Sequence, residues 1–294
     1  MEEAAARFPQ RKAYEDETCS MTFSEVRRLA ASIGTGIAAL ENPGRPVAVF
    51  MEKSVWMAVS LLGVSCGGCI YCPVDVAMPE ARMDRILSVL EPAAVLTSGS
   101  MGARAREACG DCPVLLVEDL AARPADEALL ASLRARIKSS DPLYILFTSG
   151  STGMPKGVVG THQTVLNNLE WLASRFDLGP DDVLGNQAPL HFVVADHDLY
   201  CPLKFGCSSF FIPAGYFSFP AKLIPLLNQH RVTTVFWVPF ALGTIASLRA
   251  LDEILPEFLR YVFFVGEVMP VRQLNYWREH VPSAHYINLY GSTE

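Results

Sequence analysis

Residues 144–158 read Tyr-Ile-Leu-Phe-Thr-Ser-Gly-Ser-Thr-Gly-Met-Pro-Lys-Gly-Val. The apolar run Leu143 to Phe147 predicts a buried strand feeding into this stretch. It breaks at Thr148 into small hydroxylated and glycine residues as far as Gly153, and Pro155, Lys156 and Gly157 close the loop. Glycine lets the main chain approach a ligand and adopt positive φ. Successive exposed N–H groups make an anion-binding concavity. Hydroxyls, backbone amides and one lysine in so short a span suit a polyphosphate. Spacing excludes two commoner phosphate loops. Counting from Gly150, Pro155 occupies the second glycine of Gly-x-x-x-x-Gly-Lys-Ser/Thr, and Ser151 occupies the second glycine of Gly-x-Gly-x-x-Gly.

The chain around this loop has 294 residues, half of them hydrophobic, enough for one large or two smaller domains. A net charge of −7 leaves no basic footprint for nucleic acid. Apolar runs are strand-length or broken by charge, short of a membrane span. Met1 to Arg11 carries no apolar signal segment, so a cytoplasmic protein without a membrane role is the expectation. Cys66, Cys69 and Cys72, and again Cys109 and Cys112, have C-x-x-C spacing, which can mark zinc. The first group is predicted on a helix end, a Gly67-Gly68 turn and an apolar strand, where cysteine acts as a small hydrophobe. Disulfides are not expected in a cytosolic protein.

Thr22-Phe23-Ser24-Glu25 has the capping-box pattern before a helix with Val26, Leu29, Ile33 and Ile37 on one face. Strands are predicted at 47–51, 70–72, 93–97 and 114–117, with helices at 55–64 and 79–90 between them. Residues 121–140 read as a surface helix and linker. After the loop, a helix at 161–176 precedes a steady alternation. Strands fall at 183–187, 208–212, 233–237, 261–265 and 285–287, with helices in the gaps. Such alternation predicts an α/β fold of largely parallel sheets covered by helices on both faces. We expect two α/β subdomains, 1–140 and 141–294, the second opening with the phosphate loop. Ligands in such folds bind at the carboxyl ends of strands. The loops after Phe147, Gln187, Trp237, Val265 and Ile287 are therefore candidate site loops.

Several segments, in order, resemble the adenylate-forming enzymes: acyl-CoA synthetases, luciferases, peptide-synthetase adenylation domains and D-alanine–carrier protein ligases. Residues 144–158 resemble their phosphate signature, 21–26 their first motif, Gly67 to Asp75 their second, Gly266-Glu267 their adenine-stacking segment and Asn288 to Glu294 their fifth motif. The resemblance covers nearly the whole chain and implies the two-subdomain N-terminal core of that fold. Its chemistry is attack of a carboxylate on the α-phosphate of ATP, with Mg²⁺, giving an acyl-adenylate. The acyl group then passes to a carrier-protein phosphopantetheine or to coenzyme A. By resemblance, Thr148, Ser149, Gly150, Ser151, Thr152, Gly153 and Lys156 hold the β- and γ-phosphates. Tyr290 stacks on adenine against the backbone at Gly266 and Glu267, and Asn288, Leu289, Gly291 and Ser292 complete the nucleotide site. Thr293 contacts the α-phosphate and Glu294 ligates the metal. Thr148, Lys156, Thr293 and Glu294 are the catalytic set.

One departure concerns the acid. Amino-acid-activating members carry Phe-Asp in their fourth motif, the Asp pairing with the substrate ammonium; this chain has Phe192-Val193. The remaining pocket positions, by the same resemblance, are His191, Val194, His197, Trp237, Phe263, Val265 and Leu289. A buried ammonium without a counter-charge costs several kcal/mol, so an aryl, keto, hydroxy or short fatty acid is expected unless Asp196 or Asp198 supplies the carboxylate. His191, Asp196, His197 and Asp198 also allow a metal reading, but their spacing matches no known zinc class. The chain ends on the last residue of the fifth motif. The expectation is therefore a piece of a longer ligase, without the family's ribose-binding aspartate, hinge and C-terminal lysine. The alternative is a non-catalytic nucleotide- or acyl-binding remnant.

Overall fold

The computed structural model describes residues 1–149 and 154–293. In chain order the strands are β1 (Lys12–Glu15), β2 (Ser20–Thr22), β3 (Pro46–Phe50), β4 (Ile70–Val74), β5 (Ala94–Thr97), β6 (Val114–Leu116), β7 (Pro142–Thr148), β8 (Lys156–Thr161), β9 (Val183–Asn186), β10 (Ser208–Phe211), β11 (Thr234–Trp237), β12 (Tyr261–Phe264) and β13 (His285–Asn288). The helices are α1 (Glu2–Arg7), α2 (Phe23–Ala38), α3 (Val55–Cys66), α4 (Glu80–Leu90), α5 (Gly102–Cys109), α6 (Val117–Ala121), α7 (Glu127–Arg134), α8 (His162–Arg175), α9 (Asp196–Phe205), α10 (Pro220–Gln229), α11 (Pro239–Ser247) and α12 (Val271–His280). This is the α/β class that strand–helix alternation predicts.

Among the described residues two compact units result: residues 24–171 with Thr293, and residues 1–23 with 172–292. The first holds a six-stranded sheet, ordered β6-β5-β3-β4-β7-β8, and the second a seven-stranded sheet, ordered β13-β12-β11-β9-β10-β1-β2. Every described pairing is parallel except at one edge of each sheet, where β8 runs antiparallel to β7 and β2 antiparallel to β1. The parallel strands β5, β11 and β12 are buried along their whole length, as strands covered on both faces must be. α3 is apolar nearly all round and mostly buried, and the Ser54 hydroxyl caps it by accepting from the Met57 amide at 3.2 Å.

The division differs from a cut at residue 140. β7 pairs in parallel with β4 through Tyr71 and Tyr144, so the phosphate loop belongs to the sheet that precedes it. β1 pairs with β10 through Tyr14 and Ser209, so the first residues join the later sheet. Hydrophobic period reports which residues are buried, not which distant strand each one meets. The candidate loop after Phe147 follows a strand of the six-stranded sheet, and the other four candidate loops leave β9, β11, β12 and β13 of the seven-stranded sheet.

Local readings also change near the phosphate loop. Lys156 and Gly157, read as loop residues, begin β8, which pairs residue for residue with β7 from Thr148–Lys156 to Tyr144–Gly160. Gly160 is required there. A Cβ at that position would sit 2.0 Å from the Tyr144 ring. The region 121–140 contains α7, capped by the Asp126 carboxylate on the Leu129 amide at 2.9 Å.

In the seven-stranded sheet the side-chain period of two decides what each face carries. Val235, Trp237, Val262 and Phe264 lie in the core with Leu223, Ile245 and Trp277. Phe236 and Phe263 point the other way and stack, 4.4 Å between ring centroids. Both indoles of the first face are satisfied: Trp237 donates to the Gly185 carbonyl at 2.7 Å and Trp277 to the Leu242 carbonyl at 3.0 Å.

Candidate functional site

The hairpin expected to hold phosphate and the segments expected to hold the base belong to different units. In the hairpin, Thr148 ends β7 and Lys156 begins β8, and the ladder makes them direct cross-strand partners. Both Ser149 and Lys156 are exposed. Gly150, Ser151, Thr152 and Gly153 lie outside the described residues. The loop from Ser149 to Pro155 contains no acidic residue. A hydroxyl and an ammonium thus flank the mouth of a loop whose own side chains offer no carboxylate to its amides. That is the donor set an anionic ligand requires.

The base segments sit at the carboxyl ends of β12 and β13. These neighbours are in register from Tyr261–His285 to Phe264–Asn288, and the ladder extends by one bond, the Leu289 amide donating to the Phe264 carbonyl at 2.9 Å. Gly266 and Asn288 to Tyr290 are therefore brought side by side. Gly266 has φ +99, which favours glycine, and a Cβ there would meet nothing within 4 Å. The Tyr290 ring is fully exposed. An open backbone beside an unburied aromatic face fits a flat heteroaromatic ring. Gly291 and Ser292 continue exposed, and Thr293 is half-buried. Glu294 lies outside the described residues. The Glu267 carboxylate accepts from the Phe240 amide at 3.1 Å, tying the loop after β12 to the first turn of α11.

Pocket positions divide. His197 is buried, lies 4.2 Å from the Phe236 ring in a parallel stack, and has Nδ1 2.9 Å from the Val194 carbonyl. Burial pushes its imidazole down to about 4, so the ring is neutral at pH 7. A neutral ring placed this way donates from Nδ1. Phe263 continues the aromatic face, with Phe176 edge-on to it at 4.8 Å. Val193 and Val194 form a half-buried turn ahead of α9. Phe192 is half-exposed, its ring 4.6 Å from that of His191. Val265 and Leu289 are half-buried at the strand ends. Trp237 is a correction. Its side chain is fully buried in the core on the opposite face, edge-on to Phe217 at 5.1 Å. The position beside it, Phe236, supplies the aromatic face, as a one-residue shift in a strand must.

Sequence reasoning missed Asn186. At the end of β9 and fully buried, its amide donates to the Ala188 carbonyl at 3.0 Å and to the Asp198 carboxylate at 2.8 Å. Asp198 is thus fully buried and held by Asn186 behind the pocket turn, while Asp196 opens α9 half-buried. An asparagine closing an apolar strand was the available signal.

Two surface cavities lie elsewhere. One, about 560 Å³, flanks α12 and β13, and the other, about 320 Å³, opens at the amino ends of β3 and β4. Neither contains Thr148, Ser149, Lys156 or a residue of the base segments, although Pro142, at the far end of β7, lines the second. Among the described residues, no three His, Cys, Asp or Glu side chains cluster as a metal site, and no helix is long and apolar enough to cross a membrane.

Compared with known proteins, the chain matches the model of the AMP-binding enzyme family over residues 1–294. It is 31% identical to an L-proline–[L-prolyl-carrier protein] ligase of Streptomyces coelicolor, over 93% of this chain and 55% of that protein. It is 27% identical to a D-alanine–D-alanyl carrier protein ligase of Staphylococcus aureus, over 97% of this chain and 57% of that protein. The chain spans just over half the length of both. Among solved structures, the nonribosomal peptide synthetase FmoA3 superposes with a TM-score of 0.87 at 26% identity, over 99% of this chain and 31% of that one.

Proposed function

We propose that this chain, which belongs to the AMP-binding enzyme family, forms the nucleotide- and acid-binding core of a ligase that activates a carboxylic acid with ATP, releasing pyrophosphate and giving an acyl-adenylate. The observation that carries this is the Thr148–Lys156 pair across the mouth of an acid-free loop. Lys156 and the loop amides would hold the β- and γ-phosphates and take up the charge that collects on them as pyrophosphate leaves. Reactions of this kind rest on positioning and neutralisation more than on a protein nucleophile. Tyr290 and the Gly266 backbone would hold the adenine, with Asn288 at its edge, and Thr293 would contact the α-phosphate. Mg²⁺, with Glu294 as its ligand, would offset further phosphate charge. Use of ATP as co-substrate favours a cytoplasmic reaction. The acyl acceptor is a carrier-protein phosphopantetheine thiol or coenzyme A, and the names of the two ligase relatives favour the carrier protein.

For the acid, the reading is a substrate without an α-ammonium group. Val193 stands where a carboxylate would face the ammonium, and Asp198, the alternative, is engaged by Asn186. The aromatic face of Phe236, Phe263 and neutral His197 suits an aryl or other apolar acid. Pyrophosphate exchange with ATP across matched pairs of acids tests it. Exchange should favour the deaminated or hydroxy member of each pair. Preference for proline or another α-amino acid, as the relatives' names would have it, overturns the substrate reading alone. No exchange with any acid, while ATP still binds, favours the non-catalytic binding module.

A further inference from the structure

Cys109 and Cys112 have no part in the adenylation reading. Cys109 ends α5, Cys112 stands two residues before β6, and Gly110 between them has φ +54. The Cys112 amide donates to the Cys109 carbonyl at 3.1 Å. A four-residue turn closed this way holds its outer Cα atoms within about 7 Å, the span that a disulfide needs. Neither thiol is in a disulfide and both are partly exposed; the Cys112 thiol donates to the Pro92 carbonyl at 3.4 Å, and both pack against the core containing Phe50, Cys72 and Val95. Their proximity is also electrostatic: Cys112 acts on the ionisation of Cys109.

The other C-x-x-C spacings differ. Cys69 is buried, and its amide bonds to the Val64 carbonyl instead of closing on Cys66. Cys72 is buried inside β4, where extended backbone carries it away from Cys69. Cys201 and Cys207 are both fully buried.

We propose that Cys109 and Cys112 are a reversible thiol–disulfide site that a low-molecular-weight disulfide closes into the first intramolecular disulfide of this chain, while the partly exposed Cys19 and Cys66 take no more than a mixed disulfide. The Cys112 thiolate attacks one sulfur of the disulfide, forming a mixed disulfide and releasing one thiol equivalent. The Cys109 thiolate then attacks the Cys112 sulfur, closing the intramolecular disulfide and releasing the second equivalent. The two protein thiols are oxidised, the small disulfide is reduced to two thiols, and the two protons pass to those thiols. Cys112 goes first because burial alone raises its thiol. Burial together with Cys112 pushes Cys109 up to about 11, and a helix C-terminus disfavours negative charge. Exchange is therefore fastest in mildly alkaline solution, where more thiolate is present.

The test uses the 294-residue chain with oxidised glutathione as probe. Samples are quenched by alkylation and read by intact mass and peptide mapping. The expected product has lost two hydrogen masses, with the link inside the peptide carrying 109–112 and no other intramolecular disulfide formed before it. In Cys109→Ser the glutathione adduct on Cys112 should persist at least about tenfold longer, because the resolving thiol is gone. Circular dichroism confirms that the variant is folded. A wild-type chain in which another intramolecular disulfide forms first, or in which the Cys112 adduct persists as long as in Cys109→Ser, overturns the proposal.

Discussion

Each sheet ends in an antiparallel hairpin, and the two hairpins treat their own backbone in opposite ways. Between β1 and β2 the turn runs Asp16-Glu17-Thr18-Cys19. The Asp16 carboxylate accepts from the amides of Thr18 and Cys19, both at 2.8 Å, and from the Thr18 hydroxyl at 2.7 Å. That turn supplies its own anion. Between β7 and β8 the loop from Ser149 to Pro155 has no acid at all, and Lys156 stands at its exit. Here, on the proposed reading, the anion would be the phosphate of a bound nucleotide. On the proposed reading, the same edge topology gives a closed structural turn or a phosphate site according to whether the first residue after the strand is Asp or Ser.

Transplanting that one residue should break the distinction. Ser149→Asp puts a carboxylate after β7 where Asp16 stands after β1. It would compete for the loop amides and repel phosphate. At an effective dielectric near 20, like charges about 4 Å apart cost on the order of 4 kcal/mol, so ATP affinity by calorimetry should fall roughly 100-fold or more. Thermal stability without nucleotide should be unchanged. ATP binding that survives this substitution would mean the loop does not hold the phosphates.

Lys156→Ala removes the attraction without adding repulsion, so the effect should be smaller. Loss of one charge-assisted bond is worth about 1.5–3 kcal/mol, a weakening of about 10- to 150-fold. Raised salt should shrink the difference between variant and wild type. Lys156→Arg should restore part of the affinity.

How far these features were legible follows from their range in sequence. The strand Leu143 to Phe147 and the loop after it declare themselves locally, by apolar run and composition. That Lys156 opens a strand paired back onto Thr148 does not, because Gly157 and Gly160 have low strand propensity. They are tolerated because aromatic residues of β7 cover them. Gly266, Asn288 and Tyr290 were readable as a motif, and the parallel register of β12 and β13 explains why they meet. Trp237 failed for the opposite reason. Strand alternation is fixed by which face packs on α10 to α12, and a motif position does not reveal that. Asn186 escaped because its partner, Asp198, is reached only when α9 folds back on β9.

Gly160→Ala probes the hairpin itself. A Cβ would enter the Tyr144 ring, 2.0 Å from its nearest atom, and Tyr144 packs near Tyr71 of the neighbouring strand at 5.9 Å. Overpacking of this kind costs about 1–3 kcal/mol. The expected result is a thermal midpoint lowered by several degrees, with weaker ATP binding as the loop loses its support. Gly160→Ala together with Tyr144→Phe should recover little, since the ring carbons collide as well as the hydroxyl. An unchanged midpoint would mean that β8 does not lie against Tyr144.

The smallest effect belongs to the closed turn. Asp16→Ala takes the acceptor from two amides that then turn to water, a cost of about 1 kcal/mol, because the turn is at the surface and water replaces most of what is lost. Asp16→Asn should keep most of the stability, since an amide oxygen still accepts from Thr18 and Cys19 and only the charge is gone. Neither variant should alter ATP affinity. Urea denaturation and calorimetry on the same samples separate the two readouts. If Asp16→Ala weakened ATP binding as much as Lys156→Ala, the hairpin of the seven-stranded sheet would not be the purely structural counterpart of the other. The difference between the two edges would then lie somewhere other than the source of the anion.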